Sequence, residues 1–251
     1  MIEDIQALCT SAKLQLHKFA CNHKDVLEAL PKDDRAKDLE DLDLRHDTLP
    51  IQRSLGTFWC IESDTLGFRV ELEDKSLSRH GILSTISLVY DPFGIVLPVT
   101  LCGKLILQDL CRQNVDWDDP VPEEILPGWG RWRNELPFLE DVNIQRCFKP
   151  PGFGKVVQSE VHSLSDASQS GIGQVSYLRV VNENKDVHVS FLMSKARVAP
   201  IKPMSISRMD LTAAVVSVNV TAMLESELDY TSLQTVYYRS EEHTSELQSQ
   251  R

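Results

Sequence analysis

The sequence lacks the features that mark several classes of protein. No apolar run approaches the roughly 18 residues that a membrane-spanning helix needs. The acidic, amphipathic N-terminus MIEDIQALCTSAKLQL does not have the pattern of a signal peptide. The six cysteines include no CxxC pair and the seven histidines are dispersed, so the spacing of zinc ligands is absent. These absences predict an intracellular protein with reduced thiols and no membrane partner.

Positive charge is also scarce. The chain carries 26 Lys and Arg against 37 Asp and Glu, a net charge of -11, which argues against a protein that binds nucleic acid over its whole surface. Residues 145–208 differ, because nine basic side chains there stand against four acidic ones. A phosphate-facing surface and an ordinary solvated face of mixed charge both remain open as explanations.

The first 150 residues mix helical and hairpin patterns. Periodicity predicts a helix over 2–20 and two strands around a turn at 62–64. Two helices are predicted within 79–113, separated by Asp91-Pro92-Phe93-Gly94. A helical segment over 117–136 should bury Trp129 and Trp132 in a core rather than present them to nucleobases.

The pattern changes after Pro150 and Pro151. Alternation predicts strands over 156–164, 171–181 and 186–198, then a helix over 207–228 that Ser205 or Ser207 caps, then a strand over 232–238. The order is β-β-β-α-β. The predicted fold class is therefore α+β or α/β, with a helical-and-hairpin segment followed by a smaller sheet domain.

Two carboxylates occupy suggestive places in this second part. Hydrolysis of a phosphodiester by two metal ions needs carboxylates that converge on ions about 3.5–4 Å apart. One carboxylate at the end of a first strand and one on the next helix would suit this chemistry, and Asp166 and Asp210 fill those places. The alternative is that Asp166, which precedes Ala-Ser, is an ordinary turn aspartate.

Several collinear motifs carry a resemblance to a known family. LSDASQSGIGQVSYLRV followed by LMSKARVAPIKPMSISRMDLTAAV resembles the ribonuclease H-like region of Bel/Pao-type retrotransposon Pol polyproteins. Upstream, LQLHKFACN, LGTFWCIESDTLGFRV, STISLVYDPFGIVLPV, VDWDDPVP and WGRWRNEL are similar, in the same order, to the segment that links the reverse transcriptase palm to ribonuclease H in that family. The resemblance extends from about residue 5 to residue 238.

The resemblance implies two functional segments. Residues 1–150 would be a reverse transcriptase thumb or connection, and residues 151–238 a partial ribonuclease H-like domain. The parent protein would carry out reverse transcription and would hydrolyse the RNA strand of RNA–DNA hybrids with Mg²⁺ or Mn²⁺. Its partners would be the hybrid or template-primer and the rest of the polyprotein, in the cytoplasm or nucleus and in virus-like particles.

The resemblance also assigns residues. Asp166 matches the first metal-binding aspartate, and Asp210 matches a helix position where the family usually carries Glu, so the two are the candidate catalytic and metal-binding residues. An aspartate there is one methylene shorter, which can weaken a positioned site. Lys195, Arg197 and Lys202 are candidate nucleic-acid contacts. The alternative is that these cations are ordinary exposed charges on an edge strand.

The chain departs from the family pattern at two points. It has no YxDD motif, which carries the polymerase aspartates, and YYRSEEHTSELQSQR stands where a YYWTDS-like strand end would supply the third metal-binding aspartate. RSEEHTSELQ is similar to the translation of a sequencing-library adapter, so residues 239–251 are predicted to be an assembly artefact, with Glu241 at the position of the lost aspartate. A natural acidic helix over 240–251 is the alternative. The expected consequence is a chain that is inactive alone and does not hold a metal stably.

Two other functions compete with this interpretation. One is a non-catalytic module, derived from a retroelement, that binds nucleic acid or another partner. The other is an aspartic peptidase, since this family region is often given a peptidase name. A peptidase of this class needs a D-[ST]-G turn, and the nearest strings, at residues 64–66 and 166–168, do not fit, which disfavours proteolysis.

Overall fold

The computed structural model describes residues 2–16, 18–39, 51–54, 57–230 and 232–239. The chain divides into two compact units: Met1–Arg69 with Glu140–Arg146, and Val70–Leu139 with Cys147–Arg251. This division differs from the predicted segments 1–150 and 151–238, because the helices before residue 139 lie in the same unit as the sheet that follows residue 151. The assignment of residues 1–150 to a thumb or connection stays a prediction.

The first unit contains short elements. Its helices are α1 (Ile2–Ser11) and α2 (Lys24–Glu28), and its antiparallel sheet has the order β1 (Ile51–Ser54), β2 (Thr57–Cys60), β3 (Thr65–Gly67) and β4 (Asn143–Gln145). The predicted strand pair around residues 62–64 is confirmed. The helix predicted over 2–20 ends at Ser11, and Lys13 then turns the chain with a φ of 59°, which is outside the helical region.

The second unit begins with three helices, α3 (Arg79–Ile86), α4 (Leu97–Arg112) and α5 (Leu126–Glu135). The predicted break between α3 and α4 is confirmed. The Asp91 carboxylate accepts hydrogen bonds of 2.8–2.9 Å from the backbone N–H groups of Gly94, Ile95 and Val96, which fixes the loop that precedes α4. Trp129 and Trp132 are buried, as predicted.

The larger sheet of the second unit follows these helices. It contains β5 (Val156–Ala167), β6 (Gly171–Asn182), β7 (Val187–Val198) and β8 (Gln234–Arg239), with α6 (Ile206–Glu227) between β7 and β8. The strands lie in the order β7-β6-β5-β8; β5, β6 and β7 are antiparallel, and β8 runs parallel to β5. The element order β-β-β-α-β agrees with the prediction. Within the described residues, every helix is too short or too polar to cross a bilayer.

The two faces of this sheet have different environments. On the covered face, Val161, Leu178 and Val180 pack with Val220 and Leu224 of α6. Successive side chains of a strand point to opposite faces of the sheet. The face opposite α6, called the open face, therefore carries the β5 side chains of Glu160, His162, Leu164 and Asp166.

Serine hydroxyls join the sheet to α6 on the covered face. Ser163 Oγ lies 2.7 Å from Ser217 Oγ on α6 and 3.1 Å from Ser176 Oγ on β6, and all three residues are buried. Hydroxyls can both donate and accept, so the three groups form one buried network, which continues from Ser176 to Gln174 Oε1 at 3.2 Å. These hydrogen bonds determine where along the strands α6 packs.

A tight loop attaches the three helices to the edge strand β7. The Ser194 N–H donates to the Phe93 carbonyl at 2.8 Å, and the Ser194 hydroxyl donates to the Gly94 carbonyl at 2.5 Å. Gly94 has a φ of +81°, and a Cβ there would lie 2.2 Å from the Ser194 carbonyl oxygen. Only glycine fits this position, because both the backbone conformation and the close approach exclude a side chain.

Candidate carboxylate site and strand-end cations

Asp166 lies near the end of β5, where the structure leaves it exposed. Its register partner is Gly173 on β6, and a Cβ at Gly173 would meet no heavy atom within 4 Å. The space beside Asp166 on the open face is therefore empty. The neighbouring Ala167 belongs to the covered face, where it packs with Met209 and Ala213 of α6.

Asp210 has the opposite environment. It lies near the start of α6, and its side chain is only 9% exposed. Arg239 Nη2 donates to Asp210 Oδ2 at 3.3 Å. Arg239 is in register with Ser165. Alternation places the Ser165 side chain on the covered face, so the Arg239 side chain leaves β8 on the same side of the sheet as α6. The charge of Asp210 is thus compensated by a side chain of the same protein.

The assignment of Asp166 and Asp210 as metal ligands stays a prediction. Asp166 begins on the open face, whereas Asp210 is on the helix over the covered face and is already bonded to Arg239. No group of three or more His, Cys, Asp or Glu side chains that could hold a metal occurs in the described part of the chain. A two-metal site needs several converging carboxylates, and the described residues supply two candidates, Asp166 and Asp210.

The three candidate nucleic-acid contacts are all exposed. Lys195 and Arg197 lie on β7, an edge strand, in register with Gln174 and Ile172 of β6. As residues two apart in a strand they share one face, and Lys202 follows in the connection to α6. The structure therefore places these cations at one end of the edge strand. This placement agrees with both explanations, contacts to nucleic acid and ordinary exposed charges.

The open face carries a polar cluster that sequence analysis did not predict. The Glu160 carboxylate accepts hydrogen bonds from His162 Nε2 at 3.0 Å and from Arg179 Nη1 at 2.8 Å, and His162 Nδ1 lies 2.9 Å from the Tyr238 hydroxyl. The hydrogen bond from His162, followed by those from Arg179 and Gln158, holds the pKa of Glu160 below its ordinary value against the opposing effect of burial. The sequence could have indicated only part of this cluster. Glu160 and His162 are two residues apart in a strand and so share a face, whereas Tyr238 comes close to them only because β8 pairs with β5.

The fold and these residues define a mixed α/β protein with an antiparallel three-stranded meander that a parallel strand extends. A family model described as the Pao retrotransposon-like RNaseH-like domain matches residues 78–242, about two thirds of the chain. The chain belongs to this family. No protein among those with curated descriptions matched it.

This match confirms the predicted relationship to Bel/Pao-type Pol proteins and the ribonuclease H-like character of the sheet domain. It begins at residue 78, so it includes α3, α4 and α5 with the sheet. The predicted artefact over 239–251 lies outside the described residues except for Arg239, which ends β8. Glu241 and the alternative helix over 240–251 are outside them altogether.

Proposed function

We propose that this chain is a piece of a retrotransposon Pol protein whose ribonuclease H-like region hydrolyses the RNA strand of RNA–DNA hybrids, and that the chain alone does not catalyse this reaction. The match to the Pao family over residues 78–242 is the observation that supports the parent activity. In the parent, Asp166 and Asp210 would be metal ligands and the metal would stabilise the charge that develops on the cleaved phosphate. The remaining polyprotein and the nucleic acid would be its partners.

The proposed inactivity of this chain is supported by the state of the two carboxylates. Asp210 is nearly buried and paired with Arg239, and Asp166 starts on the other face of the sheet. No third metal-binding side chain joins them in the part of the chain that the structure describes. A catalytic group displaced by even 1 Å can lose a large part of its rate, so two carboxylates in this arrangement should not give turnover.

The experiment that tests this proposal incubates the purified chain with an end-labelled RNA–DNA hybrid and Mg²⁺ or Mn²⁺. We expect no RNA cleavage above that of an Asp166→Asn variant purified in the same way. Metal-dependent cleavage that Asp166→Asn abolishes would overturn the proposed inactivity, while it would support the parent activity.

A second candidate function, binding of nucleic acid without turnover, is favoured by the cations at the end of β7. Lys195, Arg197 and Lys202 are exposed and close in sequence, which suits contact with a phosphate backbone. Titrating a fluorescent hybrid at several salt concentrations would measure this binding. Each contact that is removed should lower the slope of log K against log salt by about 1.

The matched control for these variants is Lys185→Gln. Lys185 is an exposed lysine in the turn between β6 and β7, at the other end of the same hairpin. A binding face at Lys195 and Arg197 predicts that Lys195→Gln and Arg197→Gln weaken hybrid binding and that Lys185→Gln does not. Equal effects of all three variants would contradict a localised face, because only the net charge would then matter.

A further inference from the structure

The open face of the larger sheet carries a chain of three hydrogen-bonded side chains. Glu160 and His162 lie on β5, and Tyr238 lies on the neighbouring β8, next to Leu164 in the register of the two strands. The distances are 3.0 Å from His162 Nε2 to the Glu160 carboxylate and 2.9 Å from His162 Nδ1 to the Tyr238 hydroxyl. The imidazole and phenol rings are almost parallel, with 16° between their planes.

The chemistry of these groups fixes the positions of the protons. An ionised carboxylate only accepts hydrogen bonds, so His162 Nε2 carries the proton that points at Glu160. In the neutral imidazole, Nδ1 is then an acceptor, and the Tyr238 hydroxyl donates to it. A carboxylate that holds a histidine in one tautomer, with the other nitrogen facing a hydroxyl, is the arrangement that activates hydroxyl nucleophiles in hydrolases.

We propose that Tyr238 is a nucleophilic site that accepts an acyl group from an apolar ester, with His162 as its general base and Glu160 as the residue that positions His162. Tyr238 is 46% exposed, and its hydroxyl faces His162 Nδ1. The proposal is independent of the ribonuclease function, because it uses neither Asp166, Asp210 nor a metal as a reacting group.

The groove beside Tyr238 determines the class of ester. It has a volume of about 790 Å³, and apolar side chains of the sheet and of α4 line much of it, including Leu164, Tyr177, Phe191, Leu97 and Leu101. Asp166 lies in the same groove, with the cation Lys195 in the neighbouring row of the sheet. Arg239 also lines the groove, so one carboxylate and two cations stand at its edge, and the apolar side chains that line the rest suit an ester with an apolar acyl group.

The step balances without a further reactant. The Tyr238 oxygen forms a bond to the acyl carbon, the bond between that carbon and the leaving alcohol oxygen breaks, and the phenolic proton passes to His162 Nδ1. Glu160 stabilises the imidazolium that forms, and the leaving group or solvent then takes the proton. The products are the O-acyl ester of Tyr238 and the free alcohol or phenol.

The neighbouring tyrosine is a control within the same chain. Tyr237 precedes Tyr238 on β8, is 50% exposed, and its hydroxyl has no hydrogen-bond partner within the described residues. Alternation places it on the other face of the sheet, away from His162. If the contact between His162 and Tyr238 only holds β8 against β5, the two hydroxyls should react at similar rates.

The experiment treats the folded chain with p-nitrophenyl acetate and measures acetylation of each tyrosine by peptide mass spectrometry over time. We expect Tyr238 to react at least about tenfold faster than Tyr237, since general-base assistance is worth about 10²-fold or more in organised sites. His162→Gln should bring the rate of Tyr238 down to that of Tyr237, and Glu160→Gln should lower it in part. Equal rates in the unmodified chain would overturn the proposal whether or not the variants fold.

One further measurement sharpens the test. Faster modification of Tyr238 by p-nitrophenyl phosphate than by the acetate would contradict the assignment to an acyl ester.

Discussion

The two faces of the β5–β8 sheet place the same kinds of residue in different environments. On the covered face the carboxylate of Asp210 is almost inaccessible and is bonded to Arg239, and buried serines link the strands to α6. On the open face Asp166 is exposed beside the empty space at Gly173, and Glu160, His162 and Tyr238 form a polar relay at the edge of a groove.

The difference between the faces shows how a strand separates functional groups that are close in sequence. Asp166 and the covered-face residues Ser165 and Ala167 are adjacent, yet their side chains leave the sheet on opposite sides. A site that used Asp166 and Asp210 together would be built at the end of β5, where Ala167 packs with Met209, the neighbour of Asp210. Stability should depend mainly on the covered face, and accessible chemistry mainly on the open face.

The largest effect should come from the covered core. Leu178 is fully buried against α6, so Leu178→Ala should lower the free energy of unfolding by about 2–5 kcal/mol through lost burial and a cavity. The matched variant Leu164→Ala removes the same atoms from the open face, where the side chain is 39% exposed, and should cost about 1 kcal/mol or less. Urea unfolding of both variants measures the difference. Similar losses would show that the open face is packed as tightly as the covered one.

A smaller, pH-dependent effect is expected from Glu160→Gln. The variant loses charge-assisted hydrogen bonds to His162 and Arg179, which should cost about 1 kcal/mol at neutral pH. The pKa of Glu160 is lower in the folded protein than in the unfolded chain. Its stabilising contribution is therefore complete above the unfolded pKa of about 4.3 and is lost as the pH falls through the lower folded pKa.

Unfolding measured at a series of pH values between about 6 and 3 tests this sign. The gap between the unmodified chain and Glu160→Gln should close as the pH falls. Glu183→Gln, which changes an exposed glutamate between β6 and β7, is the control and should show no comparable pH dependence. A gap that widens on acidification would contradict the assigned hydrogen bonds.

The smallest effect should come from Arg239→Ala. This change leaves the nearly buried carboxylate of Asp210 without its cation, but Arg239 is 67% exposed, so screening limits the loss to about 0.5–1 kcal/mol. The loss should shrink at high salt. Arg197→Ala removes an exposed arginine from β7 and should change stability by less than about 0.5 kcal/mol. Identical losses from both variants would show that the Asp210 pair contributes nothing.

The sheet domain could be predicted well from the sequence because its strands and helix are long and strongly periodic. β6 was predicted over 171–181 and spans Gly171–Asn182, and α6 was predicted over 207–228 and spans Ile206–Glu227. The helix predicted over 2–20 was too long, since an amphipathic stripe continues past Ser11 although the backbone turns at Lys13.

The candidate site was harder to predict for a physical reason. Spacing identified Asp166 and Asp210 as residues of interest, but the face on which each lies depends on strand register and on where α6 packs. The Arg239 pair and the Tyr238 relay both follow from the parallel pairing of β8 with β5, which joins residues more than seventy positions apart. No local pattern carries that information.

The most direct test of the central claim is the hybrid cleavage assay on the purified chain. RNA labelled at one end and annealed to DNA would be incubated with Mg²⁺ or Mn²⁺, with the unmodified chain, Asp166→Asn and Arg239→Ala compared at equal concentration. The account predicts no cleavage by the unmodified chain above the level of Asp166→Asn. Metal-dependent cleavage by the unmodified chain that disappears in Asp166→Asn would contradict it.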